Sequence, residues 1–186
     1  MHLALPPCRI ALFLLACTVG VAFAQPHGQT PAMYLEGGRG SESTGITTLG
    51  ATLPWKGWSR ALWGGQLSGH WDVALSRWSY DAPAGQDGQL TALALVPVLR
   101  WQVSQGHVPW FVQAGVGGWL GNRLYHTTGR RFGSRLNFAS HLGLGVRLGA
   151  QQQHEWLLRV QHVSNAGIKK PNPGKNLVHL RYALHF

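Results

Sequence analysis

Apolar residues recur at alternate positions along most of this chain, in stretches of about ten residues bounded by Gly, Pro, Asn or Gln. Period 2 is the mark of a strand, because successive side chains of a strand point to opposite faces of its sheet. Eight stretches follow the rule, at 31–39, 43–54, 66–78, 89–103, 109–120, 135–149, 154–164 and 176–186. In the sixth, Phe138, Leu142, Leu144, Val146 and Leu148 share one face, while Asn137, His141, Gly143, Gly145 and Arg147 share the other. In the last, Val178, Leu180, Tyr182, Leu184 and Phe186 alternate with His179, Arg181 and His185. The fourth is apolar on both faces, so its register is open. No stretch of useful length has a helical period, and no repeat or low-complexity tract is present.

The N-terminus breaks the pattern. Arg9 is followed by an apolar run, Ile10 to Phe23, too short to span a bilayer as a helix, and Ala22-Phe23-Ala24 suits signal-peptidase cleavage. Residues 1–24 therefore read as a signal peptide and 25–186 as a single domain. Leu14-Leu15-Ala16-Cys17 offers a competing site, acylation at Cys17. Cys8 and Cys17 are the only cysteines, and cleavage after Ala24 removes both, which excludes disulfide and thiol chemistry. Arg9 leaves too, so 15 Lys and Arg remain against 6 Asp and Glu. That balance favours a polyanionic partner. Export argues against nucleic acid and for the phosphate-rich outer leaflet of a Gram-negative envelope.

A soluble β-sandwich would also alternate. Three features favour an all-β, eight-stranded antiparallel transmembrane barrel of the outer membrane. The chain is exported. Many of its nine Trp fall near predicted strand ends, as interfacial girdles require, and the chain ends on an alternating strand whose final residue is Phe186. Eight strands can close, leaving no edge unpaired in lipid.

The chemistry concentrates in Val160-Gln-His162-Val-Ser164-Asn165-Ala166-Gly167-Ile-Lys169-Lys170-Pro-Asn172-Pro-Gly174. His162 and Ser164 share parity with Trp156, Leu158 and Val160, a lipid-facing row, so both polar side chains point out of the barrel. Polar groups there cost free energy unless they are paired or useful. With both termini in the periplasm, odd strands run outward, and the seventh ends on the external side. A Ser hydroxyl there can attack an acyl ester while the imidazole takes its proton. Asn165 or the N–H groups of Ala166 and Gly167 are the nearest oxyanion donors. Lys169, Lys170 and Lys175 lie beside the site as candidates for pairing with phosphate. Arg123, Arg130, Arg131 and Arg135, between strands five and six, are placed towards the periplasmic side and read as solvated. No metal-ligating pattern or cofactor motif emerges.

His-Val-Ser-Asn-Ala-Gly-Ile-Lys-Lys-Pro-Asn-Pro-Gly, with Phe132-Gly-Ser and Phe138-Ala-Ser-His-Leu-Gly-Leu-Gly upstream, resembles the lipid A 3-O-deacylases of the PagL type. The resemblance is dense over strands six to eight and only one of pattern before them. It implies an outer-membrane barrel, hydrolysis of the 3-hydroxyacyl ester at position 3 of lipid A, a metal-free Ser–His–acid triad and a homodimer. Ser164 would be the nucleophile and His162 the base. One position departs. The family has Glu or Asp where this chain has Asn176, on the same face as His162. An amide oxygen can orient the imidazole but brings no charge; in the Ser-His-Asp proteases the equivalent loss costs about 10⁴ in turnover. Glu at 176 is expected to reach better than the shorter Asp. Glu155, the one acid on strand seven, has the wrong parity. The departure keeps a second reading open, a catalytically lapsed or non-enzymatic barrel that binds lipopolysaccharide.

Overall fold

The computed structural model describes residues 30–103 and 110–186. The expected signal peptide, with cleavage after Ala24 or acylation at Cys17, lies outside the described residues. Eight strands, β1 (Ala32–Gly40), β2 (Gly45–Leu62), β3 (Gly65–Ala82), β4 (Gln86–Val103), β5 (Trp110–Gly121), β6 (Leu136–Leu148), β7 (His154–Ser164) and β8 (Lys175–His185), form a closed antiparallel barrel. β1 and β8 seal it, from Ala32 opposite His185 to Gly40 opposite Leu177. The paired, outward-facing positions Gly69, Leu99, Ala114, Leu142, Val160, Val178, Arg39 and Gly45 lead round the wall and back to β3 at Ser79, ten residues on. That stagger over eight strands tilts each strand by roughly 40°.

The alternation predicts the inside and outside correctly. Outward positions such as Leu35, Leu75, Leu95, Leu142, Leu158 and Leu180 are about half exposed, and inward neighbours are buried and often charged. An apolar exterior round a polar interior is stable only with lipid as solvent. The register of β4 resolves with Leu90, Ala92, Val96 and Val98 inside and Leu93, Leu95 and Leu99 outside.

Two expectations fail here. β2 extends further than the pattern suggests, because it shifts register between Pro54 and Ser59 and the period is lost across Lys56-Gly57, and β3 and β4 extend at their far ends, pairing on to Ala82 opposite Gln86. After its shift β2 resumes and turns at Trp63-Gly64, both at positive φ (50° and 72°), as a tight hairpin demands. The tryptophans also divide. Trp110 and Trp156 are girdle-like, outward at the end that holds the termini, with Trp156 against Tyr182. Trp78 and Trp119 instead lie inside, 1% and 2% exposed, packed edge-on with Tyr125 and Phe132.

The interior is thus filled in two layers. Aromatic rings occupy the external half. Below them, Glu36 accepts from Arg159 (2.6 Å) and Arg181 (2.9 Å), Asp72 from Arg181 (2.9 Å) and Tyr34 (2.5 Å), and Glu155 from Arg100 (2.6 Å), Arg147 (3.3 Å) and His185 (3.0 Å). These buried carboxylates and guanidiniums hold the strands in one register, and removing a single partner leaves an uncompensated charge.

Candidate active site

The termini and the short turns at 63–64 and 149–153 share one end of the barrel. The longer loop 165–174 lies at the other, the expected external end. Three connections meet there: 41–44 after β1, 122–135 after β5 and 165–174 after β7. The placement of the Arg123–Arg135 segment near the periplasm is therefore wrong. β5 is odd-numbered and runs outward, so the loop that follows it is external, like the one after β7. Arg130 is no solvated bystander either. Its Nε donates to Glu42 Oε1 (2.8 Å) and its Nη1 to the carbonyls of Gly174 (3.0 Å) and Pro173 (3.3 Å).

Glu42 gathers the three loops. Besides Arg130 it accepts from Lys175 Nζ (3.1 Å), Tyr125 Oη (3.2 Å) and Thr127 Oγ1 (3.2 Å). Partial burial pushes the Glu42 carboxyl up, but Lys175 and Arg130 outweigh it and hold the group below the usual carboxylate range. Lys175 corrects another expectation. Its side chain is wholly buried inside the barrel mouth and donates also to Ser41 O (2.6 Å) and Oγ (3.0 Å), so it is not available to a substrate phosphate. The reason is parity: 175 is odd and points in, while 176 points out. Lys169 and Lys170 remain exposed on the loop.

On the outer wall, Ser140, His162 and Asn176 stand opposite one another on β6, β7 and β8. His162 Nδ1 lies 2.6 Å from Asn176 Oδ1. With the amide oxygen as acceptor, the imidazole carries its proton on Nδ1, which leaves Nε2 as a base. The ring is braced from the other side by Gly174: a Cβ there would lie 2.6 Å from Cε1 and 3.0 Å from Nε2. Ser164 follows His162 by two residues on the same outward row, opposite Phe138. Successive side chains on one face are about 6.6 Å apart along a strand. No carboxylate replaces the missing acid. Glu36, Asp72 and Glu155 are inside, Glu42 is held in the mouth, and Asp81 and Asp87 face each other at the β3–β4 tip, three strands or more away.

The loop after Ser164 is built from its own polar groups. Asn165 Nδ2 donates to Lys169 O (2.6 Å) and Ser134 Oγ (3.1 Å), and its Oδ1 accepts from Gly167 N (3.0 Å). The Asn165 N–H is taken by Asn172 Oδ1 (3.0 Å). Asn165 and Gly167, two of the expected oxyanion donors, make these hydrogen bonds within the turn. Of the three, the N–H of Ala166 is the one left unengaged among the described residues. Asn172, which the sequence reasoning passed over, brings its own amide beside the residue that follows Ser164. Only a folded loop could single it out, since seven residues separate the two asparagines.

A groove of about 1110 Å³ runs over the outer wall from His162 and Asn176 past Ser140 and Ala114 to Trp55, which lies flat on Gly69. Small outward side chains at 114 and 140 cut it into an otherwise leucine-rich surface. Its walls suit an extended alkyl chain, and its end meets His162 and Asn176.

The family model described as lipid A 3-O-deacylase (PagL) matches residues 45–185. A lipid A deacylase PagL from Bordetella bronchiseptica is 31% identical over 132 residues, covering 67% of this chain and 70% of that protein. One from Pseudomonas aeruginosa is 29% identical over 181 residues, covering 94% and 95%. The crystal structure of the outer membrane enzyme PagL superposes with a TM-score of 0.71 at 24% identity, over 83% of this chain and 99% of that one.

Proposed function

The chain belongs to the lipid A 3-O-deacylase (PagL) family, and we propose that it is an outer-membrane esterase that removes the 3-hydroxyacyl chain from position 3 of lipid A by way of Ser164. The observation that carries the reading is the pair His162–Ser164 on a lipid-facing row, with the imidazole oriented by Asn176 at 2.6 Å and a groove for an alkyl chain beside it.

In this reading the substrate stays in its leaflet and its acyl chain lies along the groove. Ser164 Oγ attacks the ester carbonyl as His162 Nε2 takes the hydroxyl proton. The negative charge that develops on the carbonyl oxygen meets the Ala166 N–H and the Asn172 side-chain amide. The tetrahedral adduct expels the sugar oxygen, which receives the proton from His162. The acyl group remains on Ser164 until a water molecule, deprotonated by the same imidazole, releases the 3-hydroxy acid and restores the serine. Asn176 keeps the tautomer correct throughout and supplies no charge. The chemistry resides in side chains of β7, β8 and the loop between them.

Ser164→Ala and His162→Ala test this directly. Each is expected to abolish the loss of one hydroxyacyl chain from lipid A, measured by mass spectrometry, while heat-modifiable gel migration stays that of a folded barrel. Wild-type deacylation by either variant would refute the assignment. The missing carboxylate favours one second reading, a lapsed enzyme that only binds lipopolysaccharide; an inactive wild-type chain on purified lipid A would establish it.

A further inference from the structure

Round the barrel from the catalytic pair, the outer wall changes from apolar to basic. Arg39 on β1 points outward opposite Val178, two strands from His162. At the usual strand spacing that is about 10 Å along the wall. Arg77 on β3 points outward too, opposite Thr47. Between these two side chains lies a hollow of about 690 Å³, also lined by Ser43, Thr47 and Ser79. Two outward glycines make it. Nothing would meet a side chain at Gly37, and one at Gly45 would come 3.1 Å from Ser79 Oγ. The hollow and the acyl groove share Arg39 and Val178, so they form one continuous surface. Among the described residues no carboxylate pairs with either guanidinium. Arg77 spends its Nη atoms on neutral oxygens of Thr91 and Gln89, which fix its position and leave its charge unbalanced.

Two cations and three hydroxyls around an open floor are the donors a phosphate monoester needs, since each of its oxygens accepts charge-assisted hydrogen bonds. The height on the wall fits as well. Below the hollow the same rows become Leu35, Leu49 and Leu75, so it lies where acyl chains give way to headgroups. A phosphate on the sugar whose ester reaches Ser164 would lie one sugar ring away, within the reach of an arginine.

We propose that Arg39 and Arg77 form a phosphate subsite that holds the substrate's own phosphate group and thereby sets which ester of lipid A meets Ser164. The inference rests on the esterase reading above. It also replaces the sequence-based assignment of Lys175 to this role. Arg39, which carries it, has no motif in the sequence, being an isolated arginine near a strand end.

The test uses the whole barrel in neutral detergent, with fewer than one lipid A molecule per micelle, and compares bisphosphorylated with enzymatically dephosphorylated lipid A. Arg39→Gln is expected to raise KM on phosphorylated lipid A by about tenfold, the loss of one charge-assisted bond, with kcat nearly unchanged. On the dephosphorylated lipid the wild type should show a KM raised by at least that factor, because both arginine contacts are lost, and the substitution should add nothing. Arg77→Gln should behave alike, and Arg39→Lys should recover part of the loss. Equal losses on both lipids, or no loss on either, would overturn the subsite. An effect seen only in lipopolysaccharide bilayers would assign the arginines to a neighbouring molecule and overturn it too. Failure of the wild type to release hydroxy acid from either lipid would instead refute the esterase reading.

Discussion

Replacing Asn176 by Asp isolates the one feature in which this site departs from a full triad. The two side chains are isosteric, so the 2.6 Å contact between position 176 and His162 Nδ1 is retained and only a charge is added. This reverses the order expected from side-chain length. Asn already reaches the ring, and the extra methylene of Glu would have to fold back or displace the imidazole from Gly174. The carboxylate and the imidazolium that forms in the transition state would be centred about 4 Å apart, worth roughly 1 kcal/mol in water and roughly 4 kcal/mol at the effective dielectric near a protein surface. His162 is exposed, so screening favours the lower half of that range. About 1–2.5 kcal/mol corresponds to a gain of about fivefold to seventyfold in kcat. The buried protease triad, at about 10⁴, is a ceiling this rim site should not approach. KM should change little, because the charge acts mainly once the imidazolium exists. Single-turnover deacylation of one lipid A preparation by wild type, Asn176→Asp, Asn176→Glu and Lys175→Glu would decide it. Lys175→Glu should gain nothing and fold poorly, since it sets a carboxylate beside Glu42 in the barrel mouth. A rate for Asn176→Asp at or below wild type would refute the claim that Asn176 orients the base.

Other substitutions test the supports. Gly174→Ala should lower kcat by about a hundredfold or more in a barrel that still folds, because a Cβ at φ +63° meets the imidazole at 2.6 Å; activity near wild type would mean that the ring has room to move. Glu36→Gln leaves Arg159 and Arg181 short of a buried counter-charge and should cost about 3–5 kcal/mol in denaturant unfolding from lipid, with little effect on rate per folded molecule. The carboxyl of Glu42 is lowered, so the loop clamp is fully stabilising above the ordinary carboxylate range and is lost as pH falls through its lowered value. Proteolysis of the 165–174 loop should therefore accelerate only below about pH 4, and Glu42→Gln should accelerate it at neutral pH.

Parity explains both what the sequence made legible and what it hid. On a strand of known register, one face follows from the other, so His162, Ser164 and Asn176 could be placed on one surface before any coordinates. The same rule puts Lys175 inside, but a lysine beside a proposed phosphate site invites a functional reading that the alternation contradicts. The length of the β2–β3 hairpin is hidden because the bulge at 54–59 breaks the period on which everything else depends. Trp78 and Trp119 were misread for a different reason. A tryptophan near a strand end suits a lipid interface, and only inward parity, with Tyr125 and Phe132 folded in from the 122–135 loop, turns it into core. Loop groups were the least accessible. Asn165 and Asn172 divide donor and acceptor roles seven positions apart in one loop, and Glu42 joins segments 133 residues apart. These contacts have no period, so nothing local in the chain records them. They nevertheless decide how the loop beside Ser164 is folded and how firmly His162 is held. Alternation thus fixes which face bears His162 and Ser164, while long-range loop contacts set the geometry around them.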